Sequence, residues 1–337
     1  RTASASATPT ATAGDCTATL TALAAAMHDY NLITLGDLST ASDVEGRTFV
    51  GGNYTNPNSA TLASSLGGAP PTARTFEVVG NLVAGSPINL QAGSLYIKGS
   101  TSGRIVNLNG GGSVVADPTL SAGPLTATLQ GGAAQLATVS ANNTVSLPSG
   151  QPGPARFTVS QLDACGIAIF TVSAAALFDN PLVQQIELAP DSASTILINV
   201  TGASVNWTNG NFVSQFTSTT WRSRVLWNFA AATSINLGGR NFMGALLAPF
   251  AAVTTQGNID GAAAVGSLTT SAELHQPEFA GEVACLCGPT PTPTRPAIPA
   301  TPGTPIPAGT TNPPAPTTTG GGNAPTVQAP ARPTPAP

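Results

Sequence analysis

The sequence predicts a mainly β fold, a right-handed β-solenoid-like core with one N-terminal helix, followed by a Pro/Thr-rich tail of polyproline-II character. Three observations predict it. Short apolar runs alternate with Gly, Asn and Asp through most of the chain. A faint internal repeat appears twice at a separation of 17 residues. The last 50 residues hold more than half of the 30 prolines.

Residues 1–15, RTASASATPTATAGD, are a low-complexity leader, and residues 16–287 carry nearly all the large apolar side chains. Asp15 is placed to cap a helix over TATLTALAAAMHDYN, where Leu20, Leu23, Met27 and Tyr30 recur at helical spacing. A second short helix is expected at Ser173–Asn180, stopped by Pro181. Strands are expected at Phe76–Val79, Ser94–Lys98, Ile105–Leu108, Ile167–Val172, Thr195–Val200 and Arg224–Phe229. Asp43-Val-Glu-Gly, Asn241-Phe-Met-Gly and Asn258-Ile-Asp-Gly share one shape, each followed by small apolar residues. Gly at a fixed place suits the corner of a stacked coil. The competing reading is a β-sandwich whose glycine turns coincide. Residues 288–337 cannot bury a core and favour polyproline II.

Composition excludes several function classes. Charged residues are 8% of the chain, against roughly 25% in an average domain. Eleven scattered basic residues and a net charge of −4 build no phosphate-binding surface, so no nucleic-acid partner is expected. No apolar run is long enough to cross a bilayer. Arg1 is read as the mature end left after a secretion signal is removed. Cys16, Cys165, Cys285 and Cys287 are read as two disulfides of an oxidising compartment. Cys285 and Cys287 are too close in sequence to pair with each other, which leaves two pairings open.

The chemistry of catalysis is thin. With only His28 and His275 available, no nucleophile–base–orienter set is apparent, and no phosphate loop, dinucleotide fingerprint or nucleophile elbow is present. Catalytic residues and cofactors are therefore expected to be none. Asp37, Asp43 and Glu45 are weak calcium candidates, without the spacing of a helix–loop–helix calcium site. Trp207 and Trp221 are weak candidates for stacking on sugar rings, whereas Trp227 alternates with Val225 and Phe229 as a core strand residue. Thr290, Thr292, Thr294, Thr317, Thr318 and Thr319 are candidates for O-linked sugar. Four Asn-x-Thr matches, at Asn53, Asn142, Asn199 and Asn206, are read as chance in a Thr-rich chain.

Three ordered segments carry a family resemblance. ITLGDLSTASDVEGRTFVGGNYT (Ile33–Thr55), STILINVTGASVNWTNGNF (Ser194–Phe212) and RVLWNFAAATSINLGGRNFMGALLAPFAAVTTQGNIDGAAAVGSL (Arg224–Leu268) resemble the choice-of-anchor A domain family. The resemblance covers roughly residues 20–280. It implies an exported bacterial surface adhesin, and its closing segment is similar to ice-binding solenoid domains. The expected function is thus adhesion at the cell surface, polymerisation into an extracellular filament or sheath, or both. The alternative is a monomeric carbohydrate-binding adhesin or ice-binding module. The expected partners are copies of the same chain and surface glycans. The leader is expected to lie on a neighbour's sheet edge by strand addition.

Overall fold

The computed structural model describes residues 13–83 and 85–287. Residues 1–12 of the leader and the whole tail, with its six threonine candidates, lie outside the described residues. The fold is mainly β with four α-helices among the described residues: α1 (Ala13–Asp29), α2 (Gly123–Ala137), α3 (Ala174–Leu177) and α4 (Thr219–Arg222).

The longest sheet follows a ten-strand path, and every neighbouring pair in it is parallel. Its order in space is not its order in sequence. The chain enters in the middle at Leu32–Thr34 and steps outward through Thr48–Val50, Arg74–Val78 and Ser94–Ile97 to Val114–Ala116 at one end. It resumes at the opposite end with Ile167–Ser173. From there it steps back through Thr195–Thr201, Val225–Asn228 and Ala245–Thr255 to Ala263–Thr270, which pairs with the entry strand. Two arms of stacked coils thereby share one central seam. Parallel stacking, with Val145–Ser146 against Gly153–Thr158 as the one antiparallel pair among the described residues, excludes the β-sandwich.

The central strands of this sheet are buried on both faces where the helices cover it. One side faces the coil interior, where Phe76, Phe170, Ile196, Trp227 and Leu246 are 0% exposed. The other side is covered by α1 and α2, whose Leu20, Leu23, Met27, Leu129 and Leu136 pack on Ile33, Phe49, Ile169, Leu197, Leu226 and Leu247. Double burial explains why these strands are continuous apolar runs without alternation. The expected strands are present within a residue or two of their expected ends.

The helical expectation needs correction. The single N-terminal helix is joined by α2, a fifteen-residue helix whose Gly, Thr and Ala content hid it. Gly132 is there for close approach: a Cβ on it would stand 2.9 Å from Leu23 Cδ2 of α1. Asp15 lies inside the first turn of α1 and does not precede it; there its negative charge favours the helix N-terminus. The short helix expected near residue 173 is α3, capped by Ser173, whose side chain accepts from the Ala176 amide.

The four cysteines form two disulfides, Cys16–Cys287 and Cys165–Cys285. The final segment runs along α1 and across successive rungs. The Phe279 amide donates to Met27, the Ala280 amide to Ser223 and the Glu282 amide to the Thr195 hydroxyl, before the two bonds close the end.

Candidate functional site

Corners make the coils regular. The Asn53 amide donates to Asp37 Oδ1 (2.7 Å), the Asn81 amide to Asn53 Oδ1 (3.0 Å) and the Ser100 amide to Asn81 Oδ1 (2.8 Å). A second corner repeats the device: the Asn258 amide donates to Asn241 Oδ1 (3.1 Å), the Glu273 amide to Asn258 Oδ1 (3.1 Å) and the Thr61 amide to Asp43 Oδ1 (2.8 Å). Asp43, Asn241 and Asn258 are the three repeat positions, and the structure stacks them in one column, with Glu273 as a fourth member.

At a third set of turns, Thr40, Thr255 and Thr270 each donate a hydroxyl to the carbonyl two residues on and accept that residue's amide. Each side chain thus satisfies backbone groups that a turn would otherwise leave unpaired.

Between these corners lies a second parallel sheet face that the helices leave uncovered. Its strands pair in register as Ser204–Asn206, Ser234–Asn236, Ala252–Thr254 and Ser267–Thr269, after which Leu38 and then Tyr54 continue the row of Leu268, and Ser39 and then Thr55 that of Thr269. The middle residue of each triplet turns inward: Val205, Ile235, Val253 and Leu268, with Leu38 and Tyr54 in the same column, are all buried. The outward column is Asn206, Asn236, Thr254, Thr269, Ser39 and Thr55. A second outward column begins Ser204, Ser234, Ala252, Ser267.

Asn236 donates to Asn206 Oδ1 at 3.0 Å and Thr254 to Asn236 Oδ1 at 3.5 Å, so the column is internally bonded. Strand geometry sets its repeat at roughly 4.8 Å across rungs and about 6.6 Å along each strand. A shallow depression of 490 Å³ at the edge of this face is lined by Ser39, Thr254, Thr269 and their neighbours.

A sequence-local search finds only the Thr254–Thr255 pair. The signal that reveals the column is a recurring triplet of polar or small residue, apolar residue, then Asn, Thr or Ser: SVN, SIN, AVT, SLT, DLS and NYT.

The other expected site residues fall elsewhere. Trp207 is corrected: it is 3% exposed, packed edge-on to Phe178, Phe212 and Phe242, with its indole N–H donated to the Asn209 carbonyl. No ring face is left for a sugar. Trp221, half-buried on α4, packs against the coil-interior cluster and has the Arg224 guanidinium 5.9 Å from its ring. Asp37, Asp43 and Glu45 do not converge. The first two serve the corner columns, and Glu45 accepts the Gln276 amide at 2.8 Å. Asn199 is buried and bonded to α2 and Asn228, so its Asn-Val-Thr match is closed to modification.

His275 bridges two carboxylates, Asp260 at Nδ1 (2.9 Å) and Glu273 at Nε2 (2.7 Å), and Asp260 also pairs with Arg222 (2.9 Å). Burial, the largest single influence, lowers the imidazole pKa. Hydrogen bonds from Glu273 and Asp260, with the charges of Asp260 and Glu45, outweigh it and hold the pKa above the ordinary 6.5. Among the described residues no three or more His, Cys, Asp or Glu side chains are arranged to hold a metal ion.

A family model described as "Putative Ice-binding-like adhesive domain" matches residues 23–276. No curated protein matches this chain. Among solved structures, an ice-binding protein from the Antarctic ascomycete Antarctomyces psychrotrophicus is similar at 12% identity and a TM-score of 0.31, over 75% of this chain and 96% of its own. An ice-binding protein from an Antarctic biological consortium is similar at 12% identity and a TM-score of 0.32, over 82% and 94%. An ice-binding protein from an Antarctic Flavobacteriaceae bacterium gives 10% identity and 0.29, over 79% and 85%.

Proposed function

This chain belongs to the family of ice-binding-like adhesive domains, and from that premise we propose that it is an exported surface protein that adheres through the face carrying Ser39, Thr55, Asn206, Asn236, Thr254 and Thr269. One observation carries the reading: six rungs present hydroxyl and amide groups outward in register, uncovered by any helix among the described residues. A periodic array of this kind suits a periodic partner, a solid whose surface repeats hydroxyls or ordered water. The side chains are short, and Asn206, Asn236 and Thr254 are bonded to one another along the column, so little rotamer entropy is lost on contact. Two disulfides and a surface low in charge fit an extracellular setting. The division at residues 15/16 and 287/288, the O-linked tail and the nearer kinship with choice-of-anchor A chains belong to this proposal. The three ordered sequence segments support that kinship.

The test uses the full chain and the double variant Thr254→Lys/Thr269→Lys, which crowds the column with charge while leaving the buried triplet centres intact. Pull-down on crystalline polysaccharide and thermal hysteresis against ice separate the two sources of such a surface. The expected result is at least a tenfold loss of binding to one of them, at an unchanged melting temperature. Unchanged binding to both would remove this face from the function.

A second reading, assembly into an extracellular filament or sheath, is favoured by the terminal strand Val114–Ala116, which pairs on one side only, with Ser94–Ile97. Electron microscopy of native, non-reduced material tests it. Regular fibres containing this chain support assembly, and dispersed monomers at all concentrations reject it.

A further inference from the structure

The two ends of the long sheet differ. At one end, Ile167–Ser173 has its outer edge occupied: the Ile169 amide donates to Asn142 Oδ1 (2.7 Å), the amides of Asn142 and Asn143 donate to the Ile169 carbonyl (3.1 and 3.0 Å), and Asn142 Nδ2 donates to the Ile167 carbonyl (3.1 Å). Backbone and side chain together stand in for a neighbouring strand. Strand addition is blocked along residues 167–169.

At the other end, Val114–Ala116 pairs only with Ser94–Ile97. The Leu95 amide bonds Ser113 and the Asp117 amide bonds Ile97, so the alternation of a parallel ladder directs Val114 and Ala116 backbone groups outward. The interior is open as well. Leu95, Ile97, Ile88 and Leu90 are 0–3% exposed, yet the residues in register one rung further out are not closed over. Val114 is 42% exposed, Ala116 is exposed, and Val106 and Leu108 are half-buried. Ile105 beside them is 61% exposed, and residues 105–116 carry no charge. Stacked-coil proteins ordinarily close such an end with a polar cap, and exposed edges ordinarily carry charge.

A segment of this chain has the matching pattern. From Thr2 to Thr8 the sequence is TASASAT, with Ala3, Ala5 and Ala7 on one parity and Thr or Ser on the other. Period-two alternation is the pattern of a half-buried strand. Pro9 forbids continuation as a central strand and suits a strand at an edge.

Where this segment starts decides which chain it can reach. α1 begins beside the closed end, because Cys16 bonds Cys287, two residues from Cys285, which bonds Cys165 just before Ile167. The open edge is nine strand spacings away, roughly 43 Å at about 4.8 Å each. Ala7 is six residues from Ala13 and reaches about 20 Å at most. Its own open edge is out of range.

We infer that Val114–Ala116 is an acceptor edge, and that residues 2–8 of a second copy add to it as a strand, their alanine side closing over Val114 and Ala116. The donor leaves from one end and the acceptor lies at the other, so the contact is heterologous and propagates into a filament. This deepens the assembly reading and rests on it.

The test uses full-length chains: a donor variant, Ala5→Asp/Ala7→Asp, and an acceptor variant, Ala116→Pro, which removes an outward amide without breaking the ladder. Val114→Asp replaces the acceptor variant if the proline disturbs folding. Light scattering should show the unaltered chain elongating, each variant monomeric, and an equimolar mixture stopping at twice the monomer mass. A donor variant that elongates like the unaltered chain overturns the inference and leaves assembly standing. An unaltered chain that never elongates rejects the assembly reading, and the inference with it.

Discussion

His275 holds two carboxylates together at the seam, where the last rung meets the first coil. Its pKa is raised on folding, so protonated His275 stabilises the native state. That contribution is complete below the ordinary value of 6.5 and is lost as pH rises through the folded value. The melting temperature is therefore expected to fall as pH rises above the ordinary value of 6.5 in the unaltered chain, and the fall should be smaller in His275→Gln. Identical profiles would show that His275 carries no linkage. The sequence makes this residue visible as one of two histidines. Glu273 is its near neighbour in sequence, whereas Asp260 is placed opposite it only by the pairing of Ile259–Asp260 with Leu274–His275. Trp207 teaches the converse. Alone in sequence it reads as a stacking ring, and only the surrounding Phe178, Phe212 and Phe242 show that it is core.

At the scale of elements, the rung is the unit, and its corner sets what each position tolerates. Gly261, the glycine of the Asn258 repeat, has φ of +154°, and a Cβ there would stand 2.3 Å from the Gly244 carbonyl oxygen of the preceding rung. Backbone cannot yield as a flexible side chain does. Gly261→Ala is expected to cost about 1–3 kcal/mol, read by chemical denaturation, and a cost near zero would show that the corner relaxes. The repeat was legible at three positions because Asn, Asp and Gly there have backbone jobs. Glu273, the fourth, departs from the type and carries no such signal. Helix α2 was missed for a related reason. Its apolar face is made of Leu129, Ala133 and Leu136 around two glycines, a weak signal that becomes a helix by packing on α1 and the sheet.

For the whole molecule, the two disulfides act at very long range. Cys16–Cys287 links residues 271 apart and Cys165–Cys285 residues 120 apart, and together they fasten α1 and the closing segment to the far arm. Removing either bond by paired Cys→Ser substitution should lower stability by about 2–5 kcal/mol. Peptide mapping without reduction should recover these two pairings and neither alternative. A loss near zero for both would mean that packing of α1 already holds the ends.

Composition, the sparse charge, the parity of cysteines and the alternation of turn residues with short apolar runs determined a disulfide-bonded, mainly β protein from the sequence alone. Those properties are local, because backbone preference and burial tendency act over a few residues. The outward Asn, Thr and Ser column, the Cys16–Cys287 pairing and the unequal sheet ends were decided only by tertiary structure. Each depends on which distant strands lie side by side, and here the first strand of one arm pairs with the last strand of the other. No spacing within the chain encodes that closure; the packing of two arms around one seam does.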